Sequence, residues 1–177
     1  LPSMWVLQIK HLYPDGRVQK HKARFCVRGD KQIEGVDYTD KYSPVVSWLT
    51  VRMLLCLSTS KGLASRQVDF SNAFIQSELA KGEEIYVDVP RGFADLTTEP
   101  KVLKLRWSLY GLVQAPLYWG NHLKVVLEKE GLKQSVSDPC MFIRDSMIAL
   151  TYVDNVLFFG PSEANIDAKI KSLQQQG

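Results

Sequence analysis

Residues 150–159 read LTYVDNVLFF, and the pair Asp154-Asn155 divides this stretch into two short apolar runs. β-branched and aromatic residues dominate both runs, and such residues favour strands over helices. Aspartate and asparagine are common turn residues, so the stretch predicts two antiparallel strands joined by a hairpin with Asp154-Asn155 at its tip. A carboxylate beside apolar strands needs a partner or a function, because desolvating an unpaired charge is costly.

The composition bounds the class of protein. The 177 residues are 45% hydrophobic and 23% charged, which is typical of one globular domain with its own core. No apolar run reaches membrane-spanning length, and no signal peptide is visible. The scattered cysteines Cys26, Cys56 and Cys140 argue against a disulfide framework and a cysteine-ligated zinc site, and indicate small buried hydrophobes in a reducing, intracellular compartment.

The net charge of +3 is unevenly distributed. Residues 10–31 contain seven lysines and arginines against two aspartates, so this window carries +5 and the rest of the chain −2. Alternation with period two predicts a strand with cationic residues on one face and apolar residues on the other: Lys20, Lys22, Arg24 and Arg28 against Ala23, Phe25 and Val27. The cationic face suits a polyanion. A solvated edge strand, whose lysines deter aggregation, explains the same pattern without a ligand.

Local signals predict an α+β fold with an antiparallel sheet. Pro14-Asp15-Gly16 predicts the turn of an N-terminal hairpin. Helices are predicted from the cap Ser47 to Gly62, from Pro116 to Gly131, and after the cap Ser162. The first of these is apolar nearly all round, which predicts burial. Further strands are predicted in ASRQVDF, EEIYVDVP, KVLKLR, CMFIRD and MIALTYV, with KGEE as a solvated turn.

Two aspartates, Asp69 and Asp154, follow apolar strands. If the fold brought them together they would repel each other unless a cation lay between them. Mg²⁺ takes oxygen ligands and is often held by one or two carboxylates plus substrate phosphates, which is the outline of a two-metal phosphoryl-transfer site. Taken singly, each aspartate is more typical of a strand-end cap or a turn residue, and their spacing does not show that they meet.

An ordered series of motifs resembles the reverse transcriptases of copia-type LTR retrotransposons. YVDN resembles the family's YVDD box, and SLYGLVQAPLYW resembles its SLYGLKQSPRxW. Similar matches extend through KARFCVRGDKQIEGVDYTDKYSPVVSWLTVRMLL, QVDFSNAFIQSEL, EEIYVDVPRGF and SDPCMFIR. These motifs occur in the family's order over nearly the whole chain. The complete series is therefore specific evidence for the resemblance, whereas a YxDD motif alone would be weak evidence.

The resemblance implies a role for each matching residue. Asp69 and Asp154 would bind two Mg²⁺, for which Mn²⁺ can substitute, with the Phe70 carbonyl as a further ligand and Asn155 in the catalytic set. Phe74 would lie under the nucleotide sugar, where a ring clashes with a 2′-OH and rejects ribonucleotides. The residues implied to bind the dNTP are Lys22, Arg24, Phe74, Tyr110, Gly111 and Gln114. Those implied to contact nucleic acid are Lys20, Arg28, Ala115 and Pro116.

The same resemblance implies a fingers–palm architecture that stops before a thumb and an RNase H domain. Residues 1–47 would form a fingers hairpin and loop, and residues 48–177 a palm with inserted fingers elements. The expected partners are an RNA or DNA template–primer, dNTP and the rest of a Pol polyprotein, with no membrane. The expected location is a cytoplasmic virus-like particle or the nucleus.

Asn155 departs from the family pattern, which has a second aspartate there. The loss of one negative charge predicts impaired metal binding and a reduced rate. Val113 and Leu117 also replace a common lysine and arginine, and Ala115 replaces a serine. A catalytically inactive nucleic-acid-binding remnant therefore stays open as an alternative. A third alternative is an unrelated Mg²⁺-dependent phosphatase or nuclease that uses Asp69 and Asp154, which leaves the SLYGLVQAP match unexplained.

Overall fold

The structure, a computed structural model, describes residues 1–93 and 101–174, without the side chains of His11, Leu12 and Gln174. The segment between the predicted strands EEIYVDVP and KVLKLR therefore lies partly outside the described residues. The chain divides into two compact units, one of Leu1–Lys41 with Ser77–Tyr118 and one of Tyr42–Gln76 with Trp119–Gly177. Each unit combines segments that are distant in sequence. The fingers–palm boundary near residue 47 stays a prediction.

Runs of antiparallel strands lie between the helices along the described residues, which fits an α+β fold. The helices are α1 (Trp48–Lys61), α2 (Ala115–Lys129) and α3 (Glu163–Gln174). The strands are β1 (Ser3–Leu12), β2 (Val18–Val27), β3 (Ala64–Asp69), β4 (Tyr86–Asp88), β5 (Val102–Lys104), β6 (Lys133–Gln134), β7 (Met141–Arg144), β8 (Met147–Tyr152) and β9 (Asn155–Gly160). All of these were predicted except the two-residue β6, which is too short to carry a periodic signal.

The first unit contains two small antiparallel sheets, β1–β2 and β4–β5. The β1–β2 hairpin closes through the N–H of Tyr13, which donates to the Arg17 carbonyl at 2.9 Å. Gly16 has a φ of +82°, a conformation that favours glycine, so the turn forms where Pro14-Asp15-Gly16 predicts it. Trp5 and Phe25 are opposite each other in the ladder, and their ring centroids lie 5.4 Å apart on the apolar face.

The second unit is built on a five-stranded antiparallel sheet with the order β3-β9-β8-β7-β6. Alternate residues of β9 belong to different clusters, because successive strand residues point to opposite faces. Val156 and Phe158 pack into the larger core with α2 and α3, through residues that include Trp119, Leu123, Leu127, Ile166 and Leu173. Leu157 and Phe159 face α1 in a smaller cluster around Leu54. The unit therefore has helices on both faces of one sheet.

Helix α1 has the predicted ends but not the predicted burial. Ser47 accepts a hydrogen bond from the N–H of Leu49, and Gly62 ends the helix. Only Leu54 and Ser58 are buried, whereas Trp48 and Leu49 are each 76% exposed. The prediction of a buried helix is wrong. Only one side of α1 packs against the sheet, and no other described element of its unit covers the opposite side. The apolar residues on that opposite side are therefore exposed, although the sequence pattern alone does not distinguish them from buried ones.

The cysteines differ in exposure. Cys140 is buried and Cys26 is half-buried, but Cys56 is exposed on α1, which corrects the expectation that all three are buried. Burial raises the pKa of the Cys140 thiol, and the charge of Asp138 raises it further. Within the described residues, no helix is long and apolar enough to cross a membrane.

Candidate active site

The predicted catalytic aspartates lie at the same end of the five-stranded sheet. Strand β3 pairs antiparallel with β9, and the last pair of this ladder is Asp69 with Asn155. Just beyond it, the N–H of Phe70 donates to the carbonyl of Asp154 at 2.8 Å. Asp69 and Asp154, which are 85 positions apart in the sequence, are thus held close together by the backbone hydrogen bonds between β3 and β9. The spacing of the two aspartates in the sequence did not show that they meet.

The tip of the β8–β9 hairpin is formed by Val153 and Asp154. Tyr152 and Asn155 are the last paired residues, so Asn155 begins β9 and does not lie at the tip as predicted. Val153 has a φ of +53°, which is rare for a β-branched residue but is what a two-residue hairpin turn requires. The indole Nε1 of Trp119 donates to the Val153 carbonyl at 2.6 Å and stabilises this turn.

A chain of hydrogen bonds runs through the side chain of Asn155. The Nε2 of Gln67 donates to its Oδ1 at 2.8 Å. Its own Nδ2 donates to Oδ1 of Asp154 at 2.9 Å. Gln67 was missed by sequence reasoning, although its position two residues before Asp69 puts both side chains on one face of β3.

The side chains nearest the aspartates differ in burial. Asp69 is exposed, and Phe70 is half-buried with its ring centroid 5.5 Å from that of Trp119. Phe74 lies in a 3₁₀ turn, Ala73–Gln76, and packs half-buried against the larger core. The predicted contact of Phe74 with a nucleotide sugar stays a prediction, as does the ligand role of the Phe70 carbonyl.

Two cavities border this end of the sheet. One of about 230 Å³ is lined by Val68, Asp69, Phe70, Ser71, Gln76, Ile170 and Leu173. The other, of about 640 Å³, is lined by Val45, Val46, Trp48, Val51, Gln67, Leu150, Tyr152, Asn155 and Leu157. Asp69 therefore borders the smaller cavity, and Gln67 and Asn155 border the larger and more apolar one.

Three of the predicted nucleotide-binding residues meet in the first unit. The guanidinium of Arg24 lies over the ring of Tyr110, 5.6 Å from its centroid. The N–H of Val27 donates to the Tyr110 carbonyl at 2.8 Å. At Gly111, whose φ is +93°, an added Cβ would lie 2.0 Å from the Val27 carbonyl oxygen. The backbone of Val27, at the end of β2, thus lies so close to the backbone of Gly111 that no residue with a Cβ fits at position 111.

The predicted cationic face is shorter than expected. Lys20 and Lys22 lie on β2, opposite Lys10 and Gln8 of β1. Arg28 lies beyond the end of β2 and forms two hydrogen bonds with Asp30, at 2.8 and 2.6 Å. Hydrogen bonding to Arg28 lowers the pKa of the Asp30 carboxyl. Arg28 is therefore removed from the face, because the strand ends at Val27.

Gln114 and Ala115 are buried, and Pro116 follows them half-buried in the first turn of α2. Gln114 accepts from Nε2 of Gln32 at 3.0 Å and donates to Oε1 of Glu83 at 2.8 Å. With both ends of its amide engaged, contact between Gln114 and a nucleotide would require this network to open. The predicted roles of Gln114, Ala115 and Pro116 stay predictions.

Glu83 was expected in a solvated turn, but it is half-buried and holds two side chains. Besides Gln114, it accepts a hydrogen bond from the hydroxyl of Tyr118. Burial raises the pKa of Tyr118 far above its ordinary value, and the bond to Glu83 raises it further. The KGEE stretch carries no pattern that reports this role, since the partners of Glu83 lie 31 and 35 positions away.

Across residues 1–93 and 101–174, no group of three histidine, cysteine, aspartate or glutamate side chains comes together to hold a metal ion. The oxygen donors at this end of the sheet are the two carboxylates of Asp69 and Asp154 and nearby backbone carbonyls. Binding of a cation by these donors, with water or a phosphate as the remaining ligands, stays a prediction.

Comparison with known proteins identifies a protein family that this chain matches and several similar proteins. A family model described as reverse transcriptase (RNA-dependent DNA polymerase) matches residues 1–176. The chain is 32% identical over 176 residues to the retrovirus-related Pol polyprotein from transposon RE2 of Arabidopsis thaliana, covering 97% of this chain and 12% of that protein. It is 35% identical to the corresponding polyprotein from transposon TNT 1-94 of Nicotiana tabacum, with 97% and 13% covered.

A more distant relative is the truncated transposon Ty1-A Gag-Pol polyprotein of Saccharomyces cerevisiae, 28% identical over 166 residues. That match covers 93% of this chain and 13% of the relative. The chain therefore spans about one eighth of the length of the curated relatives named here.

Proposed function

Because this chain belongs to the reverse transcriptase (RNA-dependent DNA polymerase) family, we propose that it carries the nucleotidyl-transfer site of a retrotransposon Pol polyprotein. The reaction is attack of a primer 3′-hydroxyl on the α-phosphate of a dNTP, with release of pyrophosphate. The observation that carries this proposal is the antiparallel pairing of β3 with β9, which brings Asp69 and Asp154 to one end of one sheet.

The donor set fits Mg²⁺ bound with its nucleotide. Mg²⁺ is usually held by one or two carboxylates, several waters and substrate phosphates, and not by an all-protein cage. Asp69 and Asp154 would supply the carboxylates and the Phe70 carbonyl a further oxygen, and Mn²⁺ can substitute. The chemistry that two such ions supply is activation of the attacking hydroxyl and stabilisation of the leaving oxygens.

The chain's own contribution is orientation. The β3–β9 ladder and the bond from Trp119 to Val153 hold the backbone of both aspartates without the participation of a ligand. Such preorganisation lowers the barrier of a reaction whose partners must be aligned. In the first unit, Lys22 and Arg24 would bind the triphosphate, with Arg24 held against the ring of Tyr110.

The template and primer would be bound mainly through their phosphates, without sequence preference. Lys20 and Lys22 lie on one face of β2 and supply positive charge for such binding. Arg28 contributes less, since Asp30 already neutralises it. We further propose the fingers–palm architecture, with the β1–β2 hairpin in the fingers, and a parent polyprotein that supplies the thumb and RNase H domains.

A catalytically inactive nucleic-acid-binding remnant is the second candidate. The observation that favours it is the substitution of the family's second aspartate by Asn155, whose amide occupies one oxygen of Asp154. A remnant would retain salt-dependent binding of nucleic acid but would neither bind a metal–dNTP complex nor extend a primer.

Primer extension with Mn²⁺ or Mg²⁺ tests the polymerase against the remnant. We expect the chain to extend a primer on an RNA template and Asp69→Asn to lose extension to background. Asp145→Asn is the matched control, because it removes one negative charge from an exposed turn in the same unit. If the folded chain binds template–primer but neither extends it nor binds Mn²⁺–dNTP, the polymerase proposal is wrong and the remnant is favoured.

A further inference from the structure

The hydrogen-bond chain Gln67–Asn155–Asp154 has a direction. At Asn155 the oxygen accepts from Gln67 at 2.8 Å and the nitrogen donates to the Asp154 carboxylate at 2.9 Å. An amide carries a donor end and an acceptor end, whereas a carboxylate only accepts. The Asp154 carboxylate therefore requires the donor end of Asn155, and Gln67, whose own amide can present either end, binds the oxygen that remains.

The strand register explains why Gln67 reaches Asn155. Asp69 is directly opposite Asn155, and Gln67 is opposite Leu157, so Gln67 is the diagonal neighbour of Asn155 on the same face. Diagonal neighbours are within reach of long side chains only. The donor that orients Asn155 is therefore set by the residue two positions before Asp69.

We propose that Asn155 is a positioning residue for the Asp154 carboxylate and that Gln67 holds the Asn155 side chain in place by donating to its oxygen. The role of Asn155 is then to hold Asp154, while its own oxygen accepts a hydrogen bond from Gln67. Asn155 stabilises one orientation of Asp154 through a hydrogen bond, where an aspartate would add a like charge beside it. Residues that orient a metal ligand in this way commonly change metal affinity by about 10- to 100-fold.

The expected effect on metal affinity rests on the proposed function. The role of Gln67 and Asn155 in the hydrogen-bond chain does not, because those bonds form without a metal. Two measurements therefore test the proposal on the full 177-residue chain. The first is metal-free: hydrogen exchange of the Asn155 side-chain amide by NMR, with the signal assigned by its disappearance in Asn155→Asp. The second is the affinity for Mn²⁺ in the presence of dATP, measured by water-proton relaxation.

Gln67→Met is the informative variant, since it keeps the length of the side chain and removes the donor. We expect exchange at the Asn155 amide to accelerate about fivefold, as loss of one hydrogen bond implies. We expect the Mn²⁺–dATP affinity to fall about tenfold. Ser65→Ala is the control on the same exposed face of β3, and both quantities should stay at the wild-type values.

Unchanged exchange in Gln67→Met would show that Gln67 does not hold the amide and would overturn the proposal. Faster exchange with unchanged Mn²⁺–dATP affinity would overturn the positioning role. If no variant binds Mn²⁺–dATP, the polymerase proposal fails together with the metal-binding consequence. The exchange measurement then decides whether Gln67 orients Asn155.

Discussion

Asp69 and Asn155 are directly opposite each other in the last pair of the β3–β9 ladder, and the amide of Asn155 donates to Asp154 at 2.9 Å. One residue thus connects the two aspartates, by backbone pairing to the first and by a side-chain hydrogen bond to the second. It stands where the resemblance to reverse transcriptases implies another aspartate. The effect of restoring that charge follows from both contacts.

Asn155→Asp should change metal affinity and metal-free stability in opposite directions. The substitution removes the hydrogen bond to Asp154, but the third negative charge attracts the cation directly and should outweigh that loss, so we expect Mn²⁺ binding to tighten about tenfold net. The same charge beside Asp154 should lower the free energy of unfolding by roughly 1 kcal/mol without metal, and less at high salt. Calorimetric titration and urea denaturation measure the two effects.

Asn165→Asp is the control for that substitution, because it adds an equal charge at an exposed position of α3. It should leave Mn²⁺ affinity at the wild-type value. Equal tightening in both variants would mean that net charge, and not the position of residue 155, controls the affinity.

Phe74→Val should relax discrimination between dNTP and rNTP. If the ring of Phe74 lies under the sugar, a smaller side chain removes the clash with a 2′-OH and should reduce selectivity by about 10- to 100-fold. Phe74 also packs against the larger core, so a stability loss of roughly 1 kcal/mol accompanies the change. The ratio of kcat/KM for the two nucleotides measures selectivity. Phe74→Tyr keeps the ring, and relaxed selectivity there would contradict a steric role.

Gly111→Ala should unfold or severely destabilise the first unit. Its φ of +93° disfavours any side chain, and the new Cβ would lie 2.0 Å from the Val27 carbonyl oxygen, so we expect a loss above about 3 kcal/mol. Gly16→Ala separates the two causes, because Gly16 has a similar φ of +82° with nothing within 4 Å. That variant should lose only about 1 kcal/mol in urea denaturation. Similar losses in both would show that backbone conformation alone matters.

Asp138→Ala should destabilise the second unit by roughly 2–4 kcal/mol, because it removes a buried acceptor of several hydrogen bonds. Asp138 is 6% exposed and accepts from the Thr50 hydroxyl at 2.6 Å and from the N–H of Cys140 at 2.9 Å. These bonds tie the start of α1 to the segment before β7. Thr50→Val removes only the first and should cost about 1 kcal/mol. Equal midpoints of urea unfolding for Asp138→Ala and Thr50→Val would show that the other hydrogen bonds of Asp138 contribute nothing to stability.

Tyr118 should make stability depend on alkaline pH. Burial and the bond to Glu83 raise its pKa in the folded chain, so the folded protein keeps the proton at pH values where the unfolded chain has lost it. The contribution is complete below about pH 10, the ordinary pKa of tyrosine, and is lost as pH rises above it. The stability difference between wild type and Tyr118→Phe should therefore be constant below about pH 10 and narrow as the pH rises above it. A difference in urea unfolding that stays constant above that pH would exclude this linkage.

Local signals in the sequence determined most of the elements of this protein. Ser47 and Gly62 bound α1, and the Pro14-Asp15-Gly16 turn closes the first hairpin, because caps and turns are satisfied by residues a few positions away. Alternation in β2 indicated which of its residues lie on the apolar face, where Phe25 packs against Trp5. The ordered motifs indicated the family, since such a series depends on residue identity and not on packing.

Tertiary structure alone decided what surrounds the aspartates. Gln67 and Asn155 are 88 positions apart, and only the register of β3 against β9 brings their amides into contact. The exposure of α1 and the burial of Gln114 likewise depend on which surfaces other elements cover. No local pattern reports these facts, because a hydrogen-bond partner across a sheet is chosen by strand pairing, and a one-residue shift in register would turn Gln67 to the opposite face.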